Sequence, residues 1–412
     1  MSYKKNYQLT QRCISTICFL VPVFLLLFFR NTRMFVWPEP WIEDGFIFFA
    51  DEYRTGFPQT AFMEYQGYIH FLPRIIAWFS MKFCLTDTMR AMNCTVLLIK
   101  ILTFYMIWKS KEIGSVLVKF SLLAYLVLMP FCDELYTNIT NLQWWLIYLM
   151  IIVFMRHETS LTGLLLSCSL LALSGLTGVN SVLLTVPCAY MVLRLRTKNC
   201  LIKVFVIIVC ALVQLYYVHS TPRVGGKLYG NVFDIIDMFV NRVIYHSLFN
   251  FNTRSWINIP VFLCYILVLL INLWYYRRLL AVQFVALFSS VYTVAIFYTL
   301  MLQTFSPLEV AIQGFAHERY FVFLRVCSFV LLVSSLNILF KYLCRSKNYR
   351  KLMAYSCFIL CLVLFKHYAL NDCYIYMYYD DIRKLELAKE GETVTIHSAP
   401  SKQYSVDLRK HQ

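Results

Sequence analysis

The chain has 412 residues, 60% of them hydrophobic, 17% aromatic and only 15% charged, with a mean hydropathy of +0.62. That composition excludes a soluble domain and predicts an all-α polytopic integral membrane protein. The net charge of +16 sits in short Lys/Arg clusters between apolar runs, so it reads as membrane topology, with lipid rather than nucleic acid as partner.

In chain order, Lys4, Lys5 and Arg12 precede an apolar run from Ile14 to Phe29. The layout is that of a signal peptide, but Arg30 and Arg33 follow where small residues would mark cleavage, so an uncleaved first span is expected. The first outer loop, 30–68, begins with Trp41-Ile-Glu-Asp-Gly45 and goes on to Asp51, Glu52, Arg54, Glu64, Tyr65 and Gln66. The stretch 68–84 contains His70, Pro73, Arg74 and Lys82, and predicts an interfacial or re-entrant helix instead of a crossing. Further runs near 90–108, 114–131, 142–155, 160–175, 179–193, 201–218, 257–274, 279–302, 320–340 and 352–370 bring the total to about eleven spans of roughly membrane length.

With the N-terminus in the cytoplasm, the inner loops hold Lys109, Lys111, Arg156, Arg194, Arg196, Lys198, Arg277, Arg278, Lys341, Arg345, Lys347, Arg350 and Lys351. The outer loops collect the acids from Glu39 to Glu64, then Asp133 and Glu134, Asp234 and Asp237, Glu309 and Glu318, and Asp372, Asp380 and Asp381. That partition agrees with the positive-inside rule in every loop. It makes 1–370 one transmembrane domain with a long outer loop at 219–256, and puts a short tail, 371–412, on the outer side. Within 219–256, Phe233 to Phe249 reads as an amphipathic surface helix. Weak alternation at 392–397 and 404–408 predicts two short strands in the tail.

Three constellations carry possible chemistry. Glu43 and Asp44 stand at the membrane surface, where a carboxylate can act as general base and neighbouring aromatics such as Trp41 can stack on a sugar; the bland account is an aromatic belt with solvated acids. After the third span, Asn138, Asn141, Gln143 and Trp144 either form a second wall of the same pocket or cap the next helix, with Asn141 at the N-cap. Asn138-Ile-Thr140 is also formally a glycosylation sequon. In His317-Glu-Arg-Tyr-Phe321, Arg319 opens the tenth span, and Arg325 lies deeper. An Arg there needs an anion, either Glu318 or Glu309 or a lipid phosphate; His70 and Arg74, four apart, are a weaker pair of the same kind. Fifteen Cys show no ligand spacing, so neither a zinc site nor a disulfide framework is predicted. No nucleotide-binding fingerprint occurs either, so anything activated arrives already activated.

Taken together, these features resemble the polyprenyl-phosphate-dependent GT-C glycosyltransferases: a cytoplasmic N-terminus, an acidic pair after the first span, an interfacial helix, the Asn-Ile-Thr-Asn-Leu-Gln-Trp loop, and Arg-Tyr-Phe opening a late span. Among these, the chain looks most similar to enterobacterial, often phage-borne, serotype-converting O-antigen glucosyltransferases. In layout the resemblance spans nearly the whole chain; in motifs it rests on four short stretches. It implies a multi-pass protein of the bacterial inner membrane with a periplasmic site. Asp44, or with less weight Glu43, would be the base. Arg319, with Arg74 and His317, would hold the carrier phosphate, and Trp41, Asn138, Asn141, Gln143 and Trp144 the sugar or acceptor. The donor would be a polyprenyl-phosphate sugar, with glucose implied, and the acceptor a lipid-linked O-antigen or surface polysaccharide, the reaction proceeding with inversion. No cofactor is called for, and the absence of a D-x-D triplet gives no support for a metal. A flippase and a carrier-charging glycosyltransferase would be functional associates. A lipid-linked sugar flippase and an O-antigen polymerase are the competing readings.

Overall fold

The computed structural model describes residues 2–83, 85–113, 116–130, 135–221, 230–249, 252–253, 255–302, 318–343, 349–365, 378–398 and 404–409. Among the described residues five helices are long and apolar enough to cross a membrane: Thr88–Lys109, Lys198–Ser220, Trp256–Tyr275, Leu280–Met301 and Glu318–Leu343. Six shorter apolar helices occupy the other expected runs, from Thr16–Arg30 to Lys351–Phe365. A 15-residue helix rises only about 23 Å, less than the ~30 Å hydrocarbon core. Among the described residues, five of the expected crossings are therefore helices long and apolar enough to span, and the helix that ends at Arg30 runs 29 residues in all from Ser2.

The first helix, α1 (Ser2–Arg30), is followed by the short α2 (Arg33–Val36) and by a π-helix, Asp44–Phe49, continuous with α3 (Ala50–Thr55). Next comes a hairpin of β1 (Glu64–Tyr65) and β2 (Tyr68–Ile69). Its two-residue turn holds Gln66 and Gly67 at φ 59° and 78°, the mirror-type turn that matches strand twist and that Gly adopts without strain. The expected interfacial helix is α4 (Phe71–Phe83), 13 residues long and too short to cross. Pro73 lies in its first turn, where a missing N–H costs nothing, and Arg74, Ile76, Ala77 and Ser80 are buried with it.

The following helices are α5 (Thr88–Lys109), α6 (Val116–Leu128), α7 (Leu142–Met155), α8 (Leu161–Gly175), α9 (Asn180–Leu195) and α10 (Lys198–Ser220). Every residue of α7 from Leu142 to Phe154 is buried, because it packs against α5 and α8 and has no polar face to expose. By contrast α10 turns Leu201, Phe205, Leu212 and Tyr216 outward, the pattern of a helix solvated by lipid. In 219–256 the expected surface helix is α11 (Val232–Phe239), started by a capping box between Asn231 and Asp234. It then widens into a π turn, Val240–Ile244, in which Arg242 is fully buried.

The chain continues through α12 (Ser255–Tyr275), α13 (Leu280–Leu302), α14 (Val322–Leu343), α15 (Tyr349–Phe365) and α16 (Tyr378–Leu387). It closes with an antiparallel hairpin of β3 (Thr393–Ser398) and β4 (Tyr404–Arg409), the two strands that weak alternation predicts. Asp381 of α16 is fully buried and accepts from the His397 backbone N–H at 3.0 Å. This hairpin packs on the π-helix of the first loop, and Arg54 donates to the Asp407 carbonyl at 2.6 Å. The first loop and the tail therefore lie on one side of the helical body.

Candidate functional site

Glu43 and Asp44 are both buried, but their surroundings differ. The Asp44 carboxylate accepts from the backbone N–H of Ile139 at 2.9 Å and of Thr140 at 3.0 Å, and also from the Thr140 hydroxyl. Burial pushes its pKa up to about 7 from 3.8, against the downward pull of those three hydrogen bonds. Asp44 is thus a staple between the π-helix and the loop before α7. Glu43, one residue earlier, faces elsewhere: its Oε2 is enclosed and has no hydrogen-bond partner. The sequence ranks Asp44 first as base, whereas the geometry leaves the Glu43 carboxylate the more available of the two.

The loop that Asp44 grips is itself held by two buried cations. Arg30 donates to the carbonyls of Val127 and Met129 and stacks 3.8 Å from the Tyr136 ring centre. Lys100, fully buried within α5, donates to the carbonyls of Leu135 and Tyr136 and lies over the Trp145 ring at 4.5 Å. Asn138 Oδ1 accepts from the Asn141 N–H at 2.9 Å, so the turn is closed by Asn138, and Asn141, although at the N-cap, makes no side-chain cap bond there. Asn138 is only 2% exposed, which takes it out of reach as a glycosylation acceptor.

A second group of side chains gathers around His70. The Ile69 peptide is paired both ways with the Gln214 amide of α10, at 3.0 and 3.1 Å, and the backbone on either side of His70 pairs with Leu176 and Gly178. This stitching fixes the imidazole between Tyr68, at 4.6 Å between ring centres, and Phe48, at 5.6 Å. Burial pushes the His70 pKa down to about 3, with Arg74 and Arg319 adding to the effect, so the ring is neutral at physiological pH. Neither ring nitrogen has a hydrogen-bond partner. Arg74 spends Nη1 on Asp51 at 2.7 Å and lies over Phe48, which leaves its buried Nε and Nη2 without partners.

Arg319 and Tyr320 come to the same place from the other end of the sequence. They sit on a 3₁₀ turn, Glu318–Phe321, in which residues three apart share a side. Glu318 and Phe321 face inward, leaving Arg319 and Tyr320 half-buried on the other flank. Burial raises the Tyr65 hydroxyl pKa, Glu43 raises it further and Arg319 opposes them, so all three groups are within electrostatic reach of one another. Tyr320 makes an edge contact with Trp144 at 5.2 Å, whose indole N–H is buried and unpartnered. Gln143 donates to the Tyr68 hydroxyl at 3.2 Å, and the Trp41 indole N–H is likewise enclosed without a partner.

Glu43, Arg74, Arg319, Gln143 and Trp144 are therefore brought together, whereas Asp44, Asn138 and Asn141 build the supporting loop. His317 lies outside the described residues. Glu318 belongs to a separate buried cluster, ion-paired with Arg242 and Arg325 and 3.2 Å from His246, so the internal acid that Arg325 requires is Glu318. Tyr65, Tyr68, His70 and Tyr320 complete the polar group; aromatic content hints at the tyrosines, but nothing local in sequence says which of 29 converge. An apolar groove of about 250 Å³ is lined by Phe62, Leu176, Phe205, Val209 and Val213. A cavity of about 420 Å³ at the Trp274–Leu279 turn is at the far end of α12 and has no part in this cluster. Among the described residues no group of three His, Cys, Asp or Glu is placed to hold a metal.

Comparison of the chain with protein-family models, with curated proteins and with solved structures finds no match.

Proposed function

We propose that this protein is a membrane glycosyltransferase that moves a sugar from a polyprenyl-phosphate carrier to a lipid-linked O-antigen or other surface polysaccharide. Its site would face the periplasm of a bacterial inner membrane. The observation that carries this reading is the set of buried polar groups with nothing to bond: Glu43 Oε2, both His70 nitrogens, Arg74 Nε and Nη2, and the Trp144 indole N–H. Each orphaned group costs about 1–3 kcal/mol, a cost that a bound polar ligand offsets. Two acceptors, Glu43 Oε2 and one nitrogen of neutral His70, stand among four donors, two of them on a guanidinium, a set that suits a sugar phosphate in which a hydroxyl is deprotonated while a phosphate is held.

In this mechanism Glu43 takes the proton from an acceptor hydroxyl, whose oxygen attacks the anomeric carbon. The bond from that carbon to the carrier phosphate oxygen breaks, and both its electrons leave with the phosphate. Arg74 and Arg319 stabilise the phosphomonoester as its charge grows. That group leaves without being protonated, so one base is sufficient and the sugar inverts, unlike the two-carboxyl arrangement of glycoside hydrolysis. Neutral His70 orients the sugar without competing for the phosphate charge.

The test is transfer by purified protein in lipid nanodiscs, supplied with polyprenyl-phosphate glucose and a lipid-linked oligosaccharide. Product is expected from the lipid donor, with inversion read by NMR. Turnover with a soluble nucleotide sugar alone would sink the reading.

A further inference from the structure

The segment that carries the acids is held by a part of the chain that sequence reasoning leaves as a plain tail. Gly45, next to Asp44, has an ordinary negative φ, so its lack of a side chain is explained by neighbours and not by backbone conformation. A Cβ built there would lie 2.1 Å from Ser398 Oγ and 3.0 Å from Pro40 Cβ. The end of β3 therefore presses directly onto the backbone of the acidic segment. Ser398 is fully buried, and its hydroxyl has no hydrogen-bond partner. Ile396 and Leu408, facing the same way on the two strands, are also fully buried and join the core that includes Phe48 and Phe49 of the π-helix. Arg54 ties α3 to the Asp407 carbonyl at 2.6 Å, and buried Asp381 fixes β3 from behind through the His397 backbone N–H and ring.

A π-helix is uncommon and, standing alone, poorly stabilised. Here it is gripped on one side by the loop at Ile139 and Thr140 and on the other by the hairpin. We propose that the C-terminal hairpin is a positioning element of the active site: Ser398 seats against Gly45 and holds the π-helix so that the Glu43 carboxylate keeps its buried, unpaired orientation. This rests on the proposed role of Glu43, but the contact itself can be tested independently. Ser398 is not a catalytic residue; it acts through Gly45 on the acid beside it.

The experiment is a mutant cycle in the full-length protein in nanodiscs: wild type, Gly45→Ala, Ser398→Ala and the double variant. The added methyl of Gly45→Ala meets Ser398 Oγ, and Ser398→Ala removes that atom and leaves the looser Pro40 contacts at 3.0 and 3.3 Å. Gly45→Ala is expected to lower kcat at least tenfold with KM for the lipid donor nearly unchanged. It should also speed amide exchange in 44–50 and in 393–398, and raise the rate at which a hydrophobic carbodiimide labels Glu43. Ser398→Ala alone should stay within about threefold of wild type, and the double variant should recover most of the loss in all three readouts. Wild-type exchange and labelling in Gly45→Ala would overturn the positioning role. If exchange and labelling follow the cycle but no variant, wild type included, transfers sugar, the positioning stands and the proposed reaction falls. If Gly45→Ala fails to accumulate, the milder Arg54→Ala, which releases only the Asp407 carbonyl, should give a smaller change of the same sign; no change there would also overturn the proposal.

Discussion

Replacing Glu43 by Gln keeps its volume but removes its basicity, and a positioned general base contributes at least about 100-fold. We expect Glu43→Gln to lose transfer by that much while the folded yield holds. Asp44→Asn should act differently. An Asn amide turned toward the N–H groups of Ile139 and Thr140 loses an acceptor in a buried place, at about 1–3 kcal/mol, so thermal stability falls and activity falls with it. Asp44 also leaves a pH signature. Its pKa is raised in the folded state to about 7 from 3.8, so its protonated form favours the fold. The sign follows: this stabilisation is complete below the unfolded value and disappears as pH rises through about 7. Melting temperature in detergent should therefore drop from pH 4 to 7 in wild type by more than in Asp44→Asn; equal slopes would show that Asp44 is not the group responsible. An acid pair after the first span is legible in sequence because charge at a membrane surface is costly. Which acid is free is not legible, since the bonds that occupy Asp44 come from residues 95 and 96 positions away.

The 3₁₀ turn before α14 divides two neighbouring residues between two tasks. Glu318 balances Arg242 and Arg325 in the core, and truncating one partner of such a set costs about 3–5 kcal/mol because the remaining charges stay buried. Glu318→Gln should therefore cut the yield of folded protein sharply. Arg319→Ala should leave folding intact and nearly abolish use of the lipid donor, with Arg319→Lys intermediate because Lys keeps the charge but not the planar fork. Equal loss of folded protein in Glu318→Gln and Arg319→Ala would place both in the core and remove Arg319 from the site. The sequence singles out this motif and offers Glu318 as a partner for an Arg; a helical reading alone does not show that the turn is 3₁₀ and so separates 318 from 319. The same limit applies to the first loop, whose aromatic and acidic content is plain while its π-helix, hairpin and short helix depend on contacts with α8, α10 and the tail.

For the molecule as a whole, the apolar runs, the short helix Phe71–Phe83 and the two tail strands follow from period and composition. Among the described residues five of the runs form helices long and apolar enough to cross a membrane, and several others, such as α8 and α9, are shorter, because hydropathy marks burial and spanning alike; α7, buried from Leu142 to Phe154, combines the composition of a span with the burial of a core helix. The side on which the tail lies is testable. A cysteine at Glu392, in the tail, and one at Gln66, in the first loop, should react with a membrane-impermeant reagent from the same compartment, and one at Arg278 only after permeabilisation. Labelling of Glu392→Cys and Gln66→Cys from opposite compartments would contradict the docking of β3 on the π-helix.

That docking joins residues as far apart as Arg54 and Asp407, 353 positions along the chain. At roughly 5–20 residues per second of synthesis, the acidic segment is made roughly 20–70 s before the strands that brace it. For that interval the acidic segment has the grip of Ile139 and Thr140 but not that of the hairpin, and an incomplete chain carries Glu43 and Asp44 braced on one side only. If the proposed transfer is this protein's activity, assembly of a working site is thereby tied to the last-made part of the chain, so that interrupted translation would yield inert protein.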